Sequence, residues 1–151
     1  MTDRLNDIYP GKLREHYENP RNYRMLEGET GHASAVNPIC GDEITVYLRG
    51  NREKVSEVTF QGHLCAVSLA SASLMSEALL NRTPQEFAII SRDFVAMMSG
   101  SDSIALGDLD ALRSIRKYRV RIRCALLPWE ALREACRALA LIGFGQDRCG
   151  K

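Results

Sequence analysis

No stretch of the sequence is apolar for long enough to cross a membrane, and the opening Met1-Thr2-Asp3-Arg4 leads into no hydrophobic signal segment. A net charge of only +1 is too small for a dedicated nucleic-acid or membrane-surface protein. Internal repeats, low-complexity tracts and interdomain linkers are also missing, so the 151 residues read as one domain, 1–151, long enough to bury a core without staples. The short zinc motifs are absent as well. There are no paired Cys-x-x-Cys knuckles, and His16, His32 and His63 show neither Cys-His nor His-x-x-x-His spacing. Five cysteines are an odd number and too sparse for a secreted disulfide scaffold. The expected setting is therefore a reducing cytoplasm with free thiols.

What is present centres on Asn37-Pro38-Ile39-Cys40-Gly41-Asp42. A thiol and a carboxylate flank a glycine, whose missing Cβ lets the backbone turn tightly enough for both side chains to face one point. Pro38 holds Asn37 extended and ends the segment before it. Cys65 and Cys124 are the distant residues that would complete a set with Cys40 and Asp42, since three thiolates and a carboxylate suit a borderline-soft cation. Spacing alone leaves two readings open: a shared site, or cysteines that serve as small apolar residues and an aspartate that serves a turn. Cys136 falls on an apolar helical stripe with Trp129, Leu132 and Leu139 and reads as core, whereas Cys149 reads as a free thiol in a polar tail. His63, two residues from Cys65, is the histidine with the best claim to a role at that site.

Taken along the chain, the patterning predicts a helix over Asp7 to Asn19 and a short strand at Ala33 to Val36. Strict alternation follows at Glu43 to Arg49 and Val55 to Gln61, which predicts an antiparallel hairpin with Ile44, Val46, Leu48, Val58 and Phe60 inward. Cys65 to Leu80 carries a single charge, Glu77, and reads as a buried helix whose small residues admit close neighbours. Cys65 at its start lies where free amides and the helix dipole favour a thiolate. Thr83-Pro84-Gln85-Glu86 is a capping signal for a helix to about Met98, and Leu109 to Tyr118 is a further short helix. Arg113, Arg116, Lys117, Arg119, Arg121 and Arg123 form a basic run, read either as a solvated face or as a docking surface for an acidic partner. Pro128 is expected to open the final helix, and Gly143 and Gly145 to end it.

The motif around Cys40, the run Cys65-Ala66-Val67-Ser68 with Ala70 to Met75, Arg123-Cys124 with Trp129, and the opening Leu13 to Asn22 together resemble the U-type iron–sulfur cluster assembly proteins. The resemblance covers nearly the whole chain. It implies an α+β fold, a small, mostly antiparallel sheet packed against helices. The scaffold branch of that family (IscU-type) carries a histidine directly before its last cysteine, where this chain has Arg123. The SufU branch lacks the histidine and has an extra segment between its second and third cysteines, which Pro84 to Met98 fits. The resemblance to the SufU branch implies Zn²⁺ held by Cys40, Asp42, Cys65 and Cys124, and a sulfurtransferase role in which persulfide sulfur comes from a cysteine desulfurase of the SufS type and passes to downstream iron–sulfur assembly proteins. The alternative is a scaffold that builds a transient Fe–S cluster on the same ligands. Cys40, on a glycine-flanked turn that moves at low cost, is the expected persulfide acceptor, with Arg123 as a stabiliser of the persulfide anion. No nucleic-acid or membrane partner is expected. The family's usual glycine before the second cysteine is Leu64 here, a residue that would be strained if the position required positive φ.

Overall fold

Alternating side chains build the sheet. In Asp42–Gly50 (β2) Ile44, Val46 and Leu48 are buried, and in Val55–His63 (β3) so are Val58 and Phe60, which matches the expected hairpin. The computed structural model, which describes residues 11–51 and 53–141, adds Gly31–Asn37 (β1) on the far side of β2. The sheet is antiparallel throughout, in the order β1-β2-β3. The short strand expected at Ala33 to Val36 is thus longer at both ends. Asn37 pairs with Asp42, so the turn through Pro38, Ile39, Cys40 and Gly41 is itself a hairpin connection. At Gly62 the strands come so close that a Cβ would lie 2.0 Å from the Glu43 carbonyl oxygen. Only glycine permits that approach just ahead of Cys65.

Among the described residues four α-helices accompany the sheet: Gly11–Glu18 (α1), Ala66–Ala78 (α2), Pro84–Met98 (α3) and Arg119–Leu141 (α4). The Thr83/Glu86 capping box opens α3 as the sequence predicts. The start of the first expected helix, together with Gly143, Gly145 and Cys149, falls outside the described residues, as does the Leu139 side chain. The short helix expected at Leu109 to Tyr118 is a 3₁₀ helix, Gly107–Lys117. Its buried residues are Leu109, Leu112 and Ile115. A three-residue apolar spacing aligns on one edge only when the helix has three residues per turn.

The largest departure from expectation concerns Pro128, which does not open the final helix but lies inside α4. Cys124, expected at an element boundary, is consequently a buried residue within that helix. A proline has no N–H, so the carbonyl four residues earlier, that of Cys124, loses its helical donor. The hydroxyls of α2 compensate. Ser68 Oγ lies 3.1 Å from the Cys124 carbonyl, and Ser71 Oγ donates to the Ala125 carbonyl at 2.6 Å. Ser71 also accepts from Trp129 Nε1 at 3.1 Å, and the Trp129 ring stacks on Phe94 with centroids 4.4 Å apart. The small residues of α2 therefore do more than admit close neighbours: their hydroxyls hold the surrounding elements in register. Each satisfied buried hydroxyl contributes on the order of 1 kcal/mol. Cys136 is buried on α4, as its apolar stripe predicts.

Farther along α2, Ser73 Oγ bonds His16 Nδ1 at 2.7 Å and accepts the Arg21 amide at 2.8 Å. His16 is 1% exposed. Burial lowers its affinity for a proton, Arg21 works the same way, and Glu77 works against them. A folded state that holds this proton more weakly than the unfolded chain loses stability as pH falls from the ordinary imidazole range toward the depressed value, because the unfolded chain is protonated first. The melting temperature of the metal-free protein is accordingly expected to fall as the pH drops below the ordinary imidazole range, about 6.5. His16→Gln should flatten that slope. An equal slope in the variant and the parent would mean that His16 does not carry the effect.

Candidate metal centre

The turn that holds Cys40 is fixed by its own backbone. Asn37 is buried; its Oδ1 accepts the Ile39 amide at 3.1 Å and its carbonyl accepts the Gly41 amide at 2.8 Å. Gly41 has φ +79, a conformation that a side chain would strain, so the turn requires glycine between the thiol and the carboxylate. Beyond it Asp42 begins β2, 7% exposed, while Cys40 stays in solvent.

Cys124 meets this turn from α4, its Sγ 3.9 Å from Cys40 Sγ. Ligand atoms of Cys40, Asp42 and Cys124 all lie within 4.8 Å of one another. Cys65 stands beside the three rather than inside that span. It is the N-cap of α2, its Sγ accepts the Ser68 amide at 3.5 Å, and its own amide donates to Asp42 Oδ2 at 3.2 Å. Of the four residues expected to share a site, the fold thus gathers three tightly and sets the fourth at their edge. Leu64, just before Cys65, is unstrained: among the described non-glycine residues only Asn22 and Asn81 have positive φ. Arg123 is exposed and lines a shallow cleft with Val36, Pro38 and Glu130.

The electrostatics follow from crowding. Burial pushes the Cys124 thiol up to about 12, and the neighbouring Cys65 and Cys40 sulfurs push the same way. Burial would also raise the Asp42 carboxyl. Hydrogen bonds from Ser68, from the Cys65 thiol and amide, and from Cys40 outweigh it and hold the group below the usual carboxylate range. Soft sulfur donors and an ionised carboxylate that resist further negative charge are a donor set that a divalent cation relieves. The residues present fit Zn²⁺.

Ser68 is the participant that the sequence reading passes over. Its Oγ is 2.7 Å from Asp42 Oδ2 and 3.4 Å from Cys65 Sγ, and the residue is fully buried. The available signal was a hydroxyl three residues after Cys65, on the same face of the first turn of α2. The basic run divides. Arg116 is bound to the Met97 and Ser101 carbonyls and to Asp102, and Arg113 to Asp102, Asp110 and the Ile104 carbonyl. Lys117, Arg119 and Arg123 remain exposed.

Residues 8–125 match the NifU-like N terminal domain family. The zinc-dependent sulfurtransferase SufU of Bacillus subtilis is 37% identical over 131 residues, covering 85% of this chain and 88% of that protein. The iron–sulfur cluster assembly scaffold protein IscU of Streptococcus pyogenes is 30% identical over 140 residues, covering 91% and 87%. A crystal structure from Fervidobacterium islandicum, described as an iron–sulfur cluster assembly scaffold for the SUF system, superposes with a TM-score of 0.81 at 29% identity, over 87% of this chain and 98% of that one. By the extent of the family match, which runs from ahead of α1 through Cys124, the chain belongs to the NifU-like N-terminal domain family.

Proposed function

We propose that this chain is a zinc-dependent sulfur acceptor in iron–sulfur cluster assembly, which takes persulfide sulfur from a cysteine desulfurase in the cytoplasm and passes it to later assembly proteins. The observation that carries the reading is an exposed thiol, Cys40, set 3.9 Å from a buried one, Cys124, beside an ionised carboxylate. Cys40, Asp42 and Cys124, with Cys65 as the fourth ligand, would hold the zinc, which when bound keeps the sulfurs deprotonated at neutral pH without redox chemistry of its own. The sequence likeness to the B. subtilis zinc-dependent sulfurtransferase supports this reading.

The transfer itself is a thiol–disulfide exchange. Cys40 thiolate attacks the outer sulfur of the desulfurase persulfide; a new S–S bond forms at Cys40 as the old one breaks, and the desulfurase cysteine leaves as a thiolate. No electrons are gained or lost overall. Arg123, exposed at the mouth of the cleft beside Pro38, supplies positive charge for the persulfide anion. Among the described residues no helix is long and apolar enough to cross a membrane. Exposed Val36, Ile39 and Val120 lie on the elements that carry Cys40 and Cys124, and with Arg119 and Arg123 give the desulfurase a surface both apolar and basic.

That surface separates two arginines. Arg119→Glu is expected to raise the apparent KM of the desulfurase for this protein, with an effect that shrinks with salt because exposed charges are screened over ~10 Å at 0.1 M. Arg116→Glu should instead lower stability, by about 1–3 kcal/mol, since it breaks charged hydrogen bonds to the Met97 and Ser101 carbonyls and to Asp102 at and beyond the end of α3. Steady-state kinetics across a salt series, alongside melting curves, would show whether the roles divide this way. Kinetics that ignore Arg119 at every salt concentration would return it to an ordinary solvated face.

A transient cluster on the same residues is the second reading, favoured by the likeness to the S. pyogenes scaffold protein. Metal analysis of the aerobically purified protein, followed by desulfurase turnover with and without it, tests both. Bound zinc and accelerated turnover are expected. A cluster chromophore assembled from iron and sulfide, without effect on turnover, selects the scaffold.

A further inference from the structure

Two hydrogen-bond donors converge on a single oxygen of Asp42. The Ser68 hydroxyl reaches Oδ2 at 2.7 Å and the Cys65 amide reaches it at 3.2 Å, leaving Oδ1 clear of both. The same hydroxyl is 3.1 Å from the Cys124 carbonyl, the one that Pro128 leaves without a helical donor. Ser68 is fully buried and has a single proton to donate. Its two oxygen acceptors belong to two residues of the candidate centre, one on β2 and one on α4, and Cys65 Sγ lies beside it at 3.4 Å.

We propose that Ser68 is a positioning residue of the metal centre, holding Asp42 by Oδ2 so that the carboxylate presents one oxygen, Oδ1, to the cation. Cys40, Cys65, Cys124 and one oxygen of Asp42 would then supply zinc with four donors, whereas a carboxylate free to turn would offer a fifth. The hydroxyl is also the link between the carboxylate and the helix that carries Cys124, so the two ligands are set relative to each other by a residue that touches neither the cation nor the sulfur being transferred. The inference rests on the zinc reading of the site.

Ser71 supplies the control. It lies one turn along α2, bonds the neighbouring Ala125 carbonyl on α4 and is just as buried, but no hydrogen bond joins it to Asp42. Zinc affinity of the full chain is measured by competition with a chromophoric chelator, and the visible bands of the Co²⁺-loaded protein report coordination number. Ser68→Ala is expected to weaken zinc binding about tenfold or more, while Ser71→Ala lowers the melting temperature and leaves affinity within about twofold of the parent. Co²⁺ bands in Ser68→Ala should lose intensity as four-coordination gives way to five. Because alanine also removes packing volume, Ser68→Thr and Ser68→Val, which differ by a hydroxyl at equal shape, are compared in the same assays. Threonine should hold zinc as the parent does, and valine should behave like alanine. Equal affinities for threonine and valine, or equal losses in Ser68→Ala and Ser71→Ala, overturn the assignment. A parent chain that binds neither Zn²⁺ nor Co²⁺ overturns the zinc reading itself, and this inference with it.

Discussion

Incubated with a cysteine desulfurase and cysteine, the protein is expected to carry its first extra sulfur on Cys40. Activity loss alone cannot identify the acceptor, because each of the three cysteines stands at the candidate centre and removing any of them would damage it. Position separates them. Cys124 is 4% exposed inside α4, and moving it disturbs a helix packed on α2. Cys65 caps α2 through its sulfur and binds Asp42 through its amide, so its displacement uncaps a buried helix. Cys40 is exposed on a four-residue turn whose hydrogen bonds are made by Asn37, Ile39 and Gly41, not by its own side chain. Rotating its Cα–Cβ bond gives up its own bond to Asp42 but leaves the hydrogen bonds of the turn intact. Trapping the persulfides and mapping them by mass spectrometry should find Cys40 modified first, and Cys40→Ser should reduce transfer to the level without the protein, since a serine hydroxyl is not ionised near neutral pH. Label arriving first on Cys65 or Cys124, with Cys40 an unmodified thiol, would make the assignment wrong.

Removing the metal is expected to cost the most stability of any single change. The candidate ligands come from the β1–β2 turn, the start of β2, the cap of α2 and the second turn of α4, so a cation that binds all of them ties together elements far apart in sequence. Free zinc at ~1,000 times its dissociation constant adds about 4 kcal/mol to the folded state. For a chain of this size that amounts to a rise of about 10 °C in melting temperature. Chelation should reverse it, and Asp42→Ala should prevent it. The variant also leaves the Ser68 hydroxyl and the Cys65 amide without their shared acceptor, so its metal-free melting point should itself fall below that of the parent. Melting curves that coincide with and without chelator in a zinc-loaded sample would place any metal outside the folded core.

The local patterns were reliable wherever one residue type decides the outcome. Alternation at Ile44, Val46 and Leu48 placed the central strand with its buried face, Thr83 and Glu86 fixed the start of α3, and Gly41 marked a turn that only glycine accommodates. Pro128 misled because the ordinary rule, that proline starts or breaks a helix, assumes the orphaned carbonyl has no other donor. Here Ser68, distant in sequence, stands beside it. The basic run failed as a single surface for a similar reason. Arg113 and Arg116 found carbonyls and Asp102 on a loop that charge patterning cannot see, while Lys117, Arg119 and Arg123 stay exposed.

By itself the sequence determined the turn chemistry at Cys40 and Asp42, the hairpin after it, and the almost uncharged helix that had to be buried. These depend on backbone freedom and on the period of apolar residues, both local quantities. Tertiary structure decided which groups meet. It brought Cys124 to 3.9 Å from Cys40, kept Cys65 as a helix cap at the edge of the tight group, and set Ser68 against both Asp42 and the Cys124 carbonyl. A sulfur's distance to a partner far along the chain, and the choice of a hydroxyl between two acceptors, are set by how α2 and α4 pack on the sheet. That packing is a property of all the contacts at once, and no stretch of sequence carries it.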